Sequence, residues 1–134
     1  IASQVAAVGH PQVGATLDIG HAAMMAAAKQ QDLAASIAAM APHVVHLHLQ
    51  DQFGRLDTIR LPGLGEKLAY GTGDLHAPPG WGQIPFEVLL PALTPRAGTV
   101  MIYELSEKFF RFVPETAAAL RRFAAMVGTA RQAA

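Results

Sequence analysis

Apolar and polar positions along this chain follow two different periods. Short β-branched or Leu-rich runs, "VGATLD" at 13–18, "HVVHLHL" at 43–49 and "GTVMIYEL" at 98–105, read as strands. Longer stretches read as helices. One covers 22–40, with Lys29 and Asp32 on its polar side and Pro42 breaking it. Another covers 84–93, entered through Pro85, and a third is amphipathic over 114–131 with Pro114 in its first turn. Residues 1–8 read as a helix end, closed by Gly9, with Pro11 two residues later. Residues 50–82, rich in Gly and Pro, read as a long active-site loop, because connections of that length in compact domains are functional or disordered.

Strands that alternate with helices predict an α/β fold with a parallel sheet and right-handed crossovers. No segment repeats and no domain boundary is visible, so 1–134 reads as one domain. Three parallel strands are few for a complete domain, since such sheets need cover on both faces and leave open edges. An eight-stranded barrel takes roughly 250 residues. Three βα units with a leading helix, starting at Ile1 rather than Met, are therefore expected to be a partial domain.

Composition narrows the picture. The 134 residues are 51% hydrophobic and 15% charged, which favours a buried core over disorder. Ten basic residues balance ten acidic ones, so the chain lacks the electrostatic footprint of a nucleic-acid or anionic-membrane binder. Cysteine is absent, which excludes disulfides and thiolate metal sites. No signal peptide or membrane span is visible, which fits a cytoplasmic protein.

The polar residues that interrupt the strands share a parity. Side chains alternate along a strand, so Gly14, Thr16 and Asp18 share one face, His46 and His48 share one, and Val100, Ile102 and Glu104 share one. Asp18, His48 and Glu104 can then meet at the carboxyl ends of the strands, where α/β barrels and open sheets place their sites. Carboxylate and imidazole ligands suit Zn, Mn, Co or Mg. A lone strand-end Asp is commonly a helix N-cap, and His46 alone is commonly a core residue. His10 and His43 read as surface residues. The agreement among three strands is what singles out the set.

The motifs "LDIGH", "HLHLQD", "GDLHAPPGWGQIPF" and "MIYEL", in that order, resemble the xylose-isomerase-like TIM-barrel superfamily, which holds sugar isomerases, ketose epimerases and endonuclease IV. The resemblance runs from Val13 to the last helix and implies the C-terminal part of a (β/α)8 barrel. It implies Asp18, His48 and Glu104 as metal ligands, with Glu104 also the catalytic acid/base. His21 would be a catalytic and substrate-contacting residue. His48 and Asp51 match the family's H-x-x-D. Asp74 and His76 match a D-x-H that holds a further metal in the endonuclease and borders the pocket in sugar enzymes. The G-x-G turn is Gly80-Trp81-Gly82, with Trp81 where an acidic residue is usual, able to act as a lid, to stack on a sugar, or equally to serve as a structural residue. A further Glu ligand of the family falls before Ile1.

The reading that follows is a divalent-metal-dependent isomerase or epimerase, acting on a sugar-like hydroxy-carbonyl compound through an enediolate. Arg55 and Arg60, in the long loop, could reach a hydroxyl, carboxylate or phosphate, although lone loop arginines are usually solvated. An endonuclease IV-like phosphodiesterase is the alternative, supported by the D-x-H and opposed by the neutral charge. A non-catalytic barrel fragment is the third reading. The expected partner is a small sugar, with no nucleic acid and no membrane. The 134 residues alone are expected to be inactive, poorly soluble, and prone to self-association through open strands.

Overall fold

The computed structural model describes residues 1–128. Helix α1 (Ala2–Val8) ends at Gly9, whose φ of 59° is the left-handed conformation that closes a helix. Strand β1 (Ala15–Asp18) leads directly into α2 (Ile19–Ala28), because the Asp18 side chain accepts the His21 backbone N–H at 2.8 Å and caps the helix. A third helix, α3 (Leu33–Met40), and a 3₁₀ turn at Ala41–His43 precede β2 (Val44–Leu49). The long crossover contains α4 (Leu64–Tyr70) and α5 (Phe86–Ala92), then β3 (Val100–Tyr103). A 3₁₀ turn at Glu107–Phe112 opens into α6 (Val113–Met126).

Two expectations are corrected here. The single helix expected over 22–40 is two helices, because Gln30 adopts a left-handed φ of 53° and Asp32 caps α3 by accepting the Ala35 N–H at 3.1 Å. Asp32 is thus a cap rather than a position on a polar helix face. The loop expected over 50–82 contains α4, whose Leu64 and Leu68 pack with Phe53 against buried Leu75, Ala77 and Phe109. The final helix ends at Met126, and the part expected over 129–131 lies outside the described residues.

The three strands form one parallel sheet in the order β1-β2-β3. Thr16 pairs with His46 and His46 with Val100, while Asp18 pairs with His48 and His48 with Ile102. One step earlier the ladder is irregular. Ala15 pairs with Val44, so two steps of β2 match one step of β1 and Val45 is the extra residue of a bulge. A Cβ on Gly14 would collide with the Val45 side chain, so glycine is what leaves room for it.

The two faces of the sheet differ. Leu17, Leu47 and Leu49 are buried with Ile37, Phe86, Leu90 and Phe123 from α3, α5 and α6. The opposite face carries Thr16, His46, His48, Val100 and Ile102, half-buried or exposed. The helices therefore cover one side of the sheet and the polar parity set lies on the other.

Asp51 holds the crossover against the strand ends. It is 1% exposed, and its carboxylate accepts four backbone N–H groups, from Gln52 (2.9 Å), Gly80 (2.7 Å), Gly82 (3.0 Å) and Ile84 (3.3 Å). Its own backbone bridges Ala77 in both directions, at 3.3 and 3.0 Å, and the Tyr103 hydroxyl donates to the Ala77 carbonyl at 2.8 Å. A Cβ on Gly82 would strike Asp51 Oδ1 and the Gln52 backbone, so this approach requires glycine. Gln52, also buried, donates to the Gly20 carbonyl and ties the crossover to α2.

A buried carboxylate is stable only with its hydrogen-bonding capacity filled, and removing it strands the donors. Asp51→Ala should lower the free energy of unfolding by about 3 kcal/mol or more, read as a fall in the urea midpoint. An unchanged midpoint would show that the 77–84 turn is held by something else.

Candidate metal centre

Register brings the parity residues together. Asp18 ends β1 beside His48 of β2, and Glu104 follows β3, held to the sheet by its backbone N–H donating to the Leu49 carbonyl at 2.8 Å. Each of Asp18, His48 and Glu104 offers one ligand atom, and the three atoms lie within 4.8 Å of one another. The His48 Nδ1 to Glu104 Oε1 distance is 2.8 Å, and all three residues are half-buried.

His46 completes this group from behind. Its Nδ1 lies 3.1 Å from His48 Nε2. A proton on His48 Nε2, donated to His46, leaves the Nδ1 lone pair on the side of Glu104, which is how metal-ligating histidines are commonly oriented.

A second group adjoins the first. His21, Asp74 and His76 also offer three ligand atoms within 4.8 Å of one another. His21 Nε2 is 3.1 Å from Asp74 Oδ2, and His76 Nε2 is 3.2 Å from the same carboxylate. The groups are joined at both ends. His21 Nδ1 lies 2.9 Å from Asp18 Oδ2, and His76 Nδ1 lies 3.7 Å from Glu104 Oε2. Asp18 therefore caps α2 with one oxygen and faces the site with the other.

The charges polarise these groups. Burial would lower the His21 pKa, but the hydrogen bond to Asp74 and the charges of Asp18 and Asp74 raise it. The hydrogen bond to Asp74 raises the His76 pKa against burial, helped by the Asp74, Glu104 and Asp18 charges. Burial alone would raise the Asp74 carboxyl. Its bonds to His76, Gln50 and His21 hold it well below the usual carboxylate range.

The other residues singled out in the sequence are not members of these groups. Arg55 is exposed and lines an open cleft of about 630 Å³ with Leu56, Ile59 and Tyr70, a cleft lined by no member of either group. Arg60 is exposed, with φ of 54°. Trp81 packs edge-on against Phe109 and Phe112, with ring centroids 5.4 and 5.1 Å apart. Asp51 serves the loop rather than either ligand group. His10 is exposed and His43 half-buried.

Sequence reasoning missed Gln50. The parity that selects His46 and His48 also selects position 50, but an amide is not a usual metal ligand, so residue type does not mark it. The side chain is fully buried, donates to Asp74 Oδ1 at 2.7 Å and accepts the His76 backbone N–H at 3.2 Å.

Comparison with known proteins gives one family. A family model described as a xylose isomerase-like TIM barrel matches residues 1–126. No curated protein and no solved structure matches the chain. Both ligand groups lie inside the matched span, and a donor set of carboxylates and imidazoles fits the divalent ions of such barrels.

The pKa directions set a pH dependence for the chain with divalent ions chelated. His21 and His76 are raised, so their contribution to stability is full below about 6.5 and is lost as pH rises through their folded values. Asp74 is lowered, so its contribution is present above about 3.9 and is lost as pH falls. Urea midpoints measured across pH should peak between those limits, and Asp74→Asn should flatten the peak. A parallel curve for the variant would trace the pH dependence to other groups.

Proposed function

The chain belongs to the xylose isomerase-like TIM barrel family, and on that premise we propose that it carries part of the active site of a divalent-metal-dependent isomerase or epimerase of sugar-like hydroxy-carbonyl compounds. The observation that carries this reading is the meeting of Asp18, His48 and Glu104 at the carboxyl ends of three adjacent parallel strands. These residues would hold the cation. A cation bound there supplies Lewis acidity, polarising a substrate carbonyl and making the neighbouring C–H more acidic.

The chain's own residues do the rest. The Glu104 carboxylate is half-buried and open to the site, so it can take the proton from the carbon next to a carbonyl and return it to the adjacent carbon. His21 stands at the rim with both ring nitrogens on carboxylates, Asp18 and Asp74. A substrate oxygen that took the place of one of these carboxylates would accept a hydrogen bond from the freed ring nitrogen. His46 keeps the His48 ring oriented. Mn, Mg, Co and Zn all fit this donor set.

A second reading, a metal-dependent phosphodiesterase, draws on the adjoining His21, Asp74 and His76, which could hold a further cation beside the first. The balance of ten basic against ten acidic residues favours a small neutral substrate over a polyanion. The proposed setting is cytoplasmic. Among the described residues no helix is long and apolar enough to cross a membrane.

In a complete protein that carries this chain, Glu104→Gln should lower the exchange of a sugar's α-hydrogen with solvent deuterium at least about 100-fold, with little change in thermal midpoint. Asp18→Asn should lower cation content and exchange together. Proton NMR of aldose and ketose panels, with and without Mn²⁺, reads the first, and metal analysis reads the second. Full exchange and full cation content in both variants would sink the assignment. Cleavage of a phosphodiester by a chain inert toward sugars would favour the second reading.

A further inference from the structure

We propose that Gln50 is the positioning residue that builds His21, Asp74 and His76 into a cation-holding group, and that the group's affinity depends on this one buried amide. The inference rests on the metal-dependent reading above and concerns a residue that touches neither substrate nor cation.

The chemistry of the two contacts selects glutamine. Asp74 Oδ1 can only accept and the His76 backbone N–H can only donate, so their common partner must donate at one end and accept at the other. Gln50 does this in a single orientation of its amide. A Glu there would set a second carboxylate against Asp74, a Lys could not accept, and an apolar side chain would leave both groups unsatisfied. With Gln50 donating to Oδ1, Asp74 also meets His21 Nε2 through Oδ2 at 3.1 Å, and His76 Nε2 lies 3.2 Å from each of its oxygens.

The backbone adds a second observation. His76 has φ of 48°, in the left-handed region that a residue with a side chain rarely occupies. The conformation is held from both sides, by Gln50 on the His76 N–H and by the Ser106 N–H donating to the His76 carbonyl at 2.9 Å. It puts the His76 ring between Asp74 and Glu104. The amide also has a reserved space, because a Cβ on Gly20 would come within 2.6 Å of Gln50 Cδ. Gly20 sits in the first turn of α2, beside His21, with no positive φ of its own to explain the glycine.

The test uses the full chain freed of metal and titrated with Zn²⁺ by calorimetry. The wild type is expected to take two ions. Gln50→Met, which keeps the side chain's length and apolar stem, is expected to keep the first and to bind the second 10- to 100-fold more weakly. Amide hydrogen exchange at His76, measured without metal, is expected to speed up at least about tenfold, a change that follows from the lost Gln50 acceptor. Gly20→Ala, which displaces the amide without changing it, should reproduce both effects and decides the matter if Gln50→Met does not fold. Two ions bound equally well by wild type and variants, with His76 exchange unchanged, overturn this inference and leave the metal reading intact. A wild type that takes only one ion overturns this inference alone, and one that takes no ion overturns the metal reading and this inference with it.

Discussion

The Asp51 carboxylate is the constraint on which the geometry of the site depends. A buried charge costs several kcal/mol unless its lone pairs are filled, and here four backbone N–H groups fill them. Three of those donors, on Gly80, Gly82 and Ile84, come from a segment about thirty residues further along the chain. The charge can be buried only if that segment folds back onto the end of β2. Asp74 and His76 lie on the returning stretch, and the paired backbones of Asp51 and Ala77 set them beside the strand ends.

Each side of the site is thus fixed in a different way. Asp18, His48 and Glu104 are placed by the parallel ladder, whose hydrogen bonds set which residue stands beside which. His21, Asp74 and His76 are placed by side chains that satisfy buried backbone, through Asp51, Gln52 and Gln50. The buried polar run from Gln50 to Gln52 lies outside the hydrophobic core and does the work of a second one. The apolar cluster of Leu75, Ala77 and Phe109, with Trp81 against Phe109 and Phe112, closes over it.

The sequence made the ladder residues legible because strand parity is a local rule. Asp18, His48 and Glu104 could be chosen from alternation alone, and the family resemblance named the same three. Alone, Asp18 reads as a helix cap, and only the set of three makes it a candidate ligand; one carboxylate oxygen caps α2 and the other faces His21. What could not be read was non-local or unmarked. The break between α2 and α3 falls at Gln30, a left-handed residue with no glycine to announce it. Helix α4 is a seven-residue helix that rests on distant Phe53 and Leu75, so its own sequence is a weak signal. Gln50 and Asp51 owe their roles to partners on the far side of the loop. Arg55 and Trp81 are marked by residue type alone, and neither belongs to either ligand group.

The bulge at Val45 reaches further than its size suggests. Had the pairing of Ala15 with Val44 continued residue for residue, Asp18 would stand beside Leu47, and His46 and His48 would turn into the apolar core. The added step at Val45 reverses the parity of the rest of β2 and delivers imidazoles to the open face. Gly14 makes room for that step. The chemistry at the strand ends is therefore indexed at the opposite end of the strands, by a hydrogen atom where any other residue would carry a carbon.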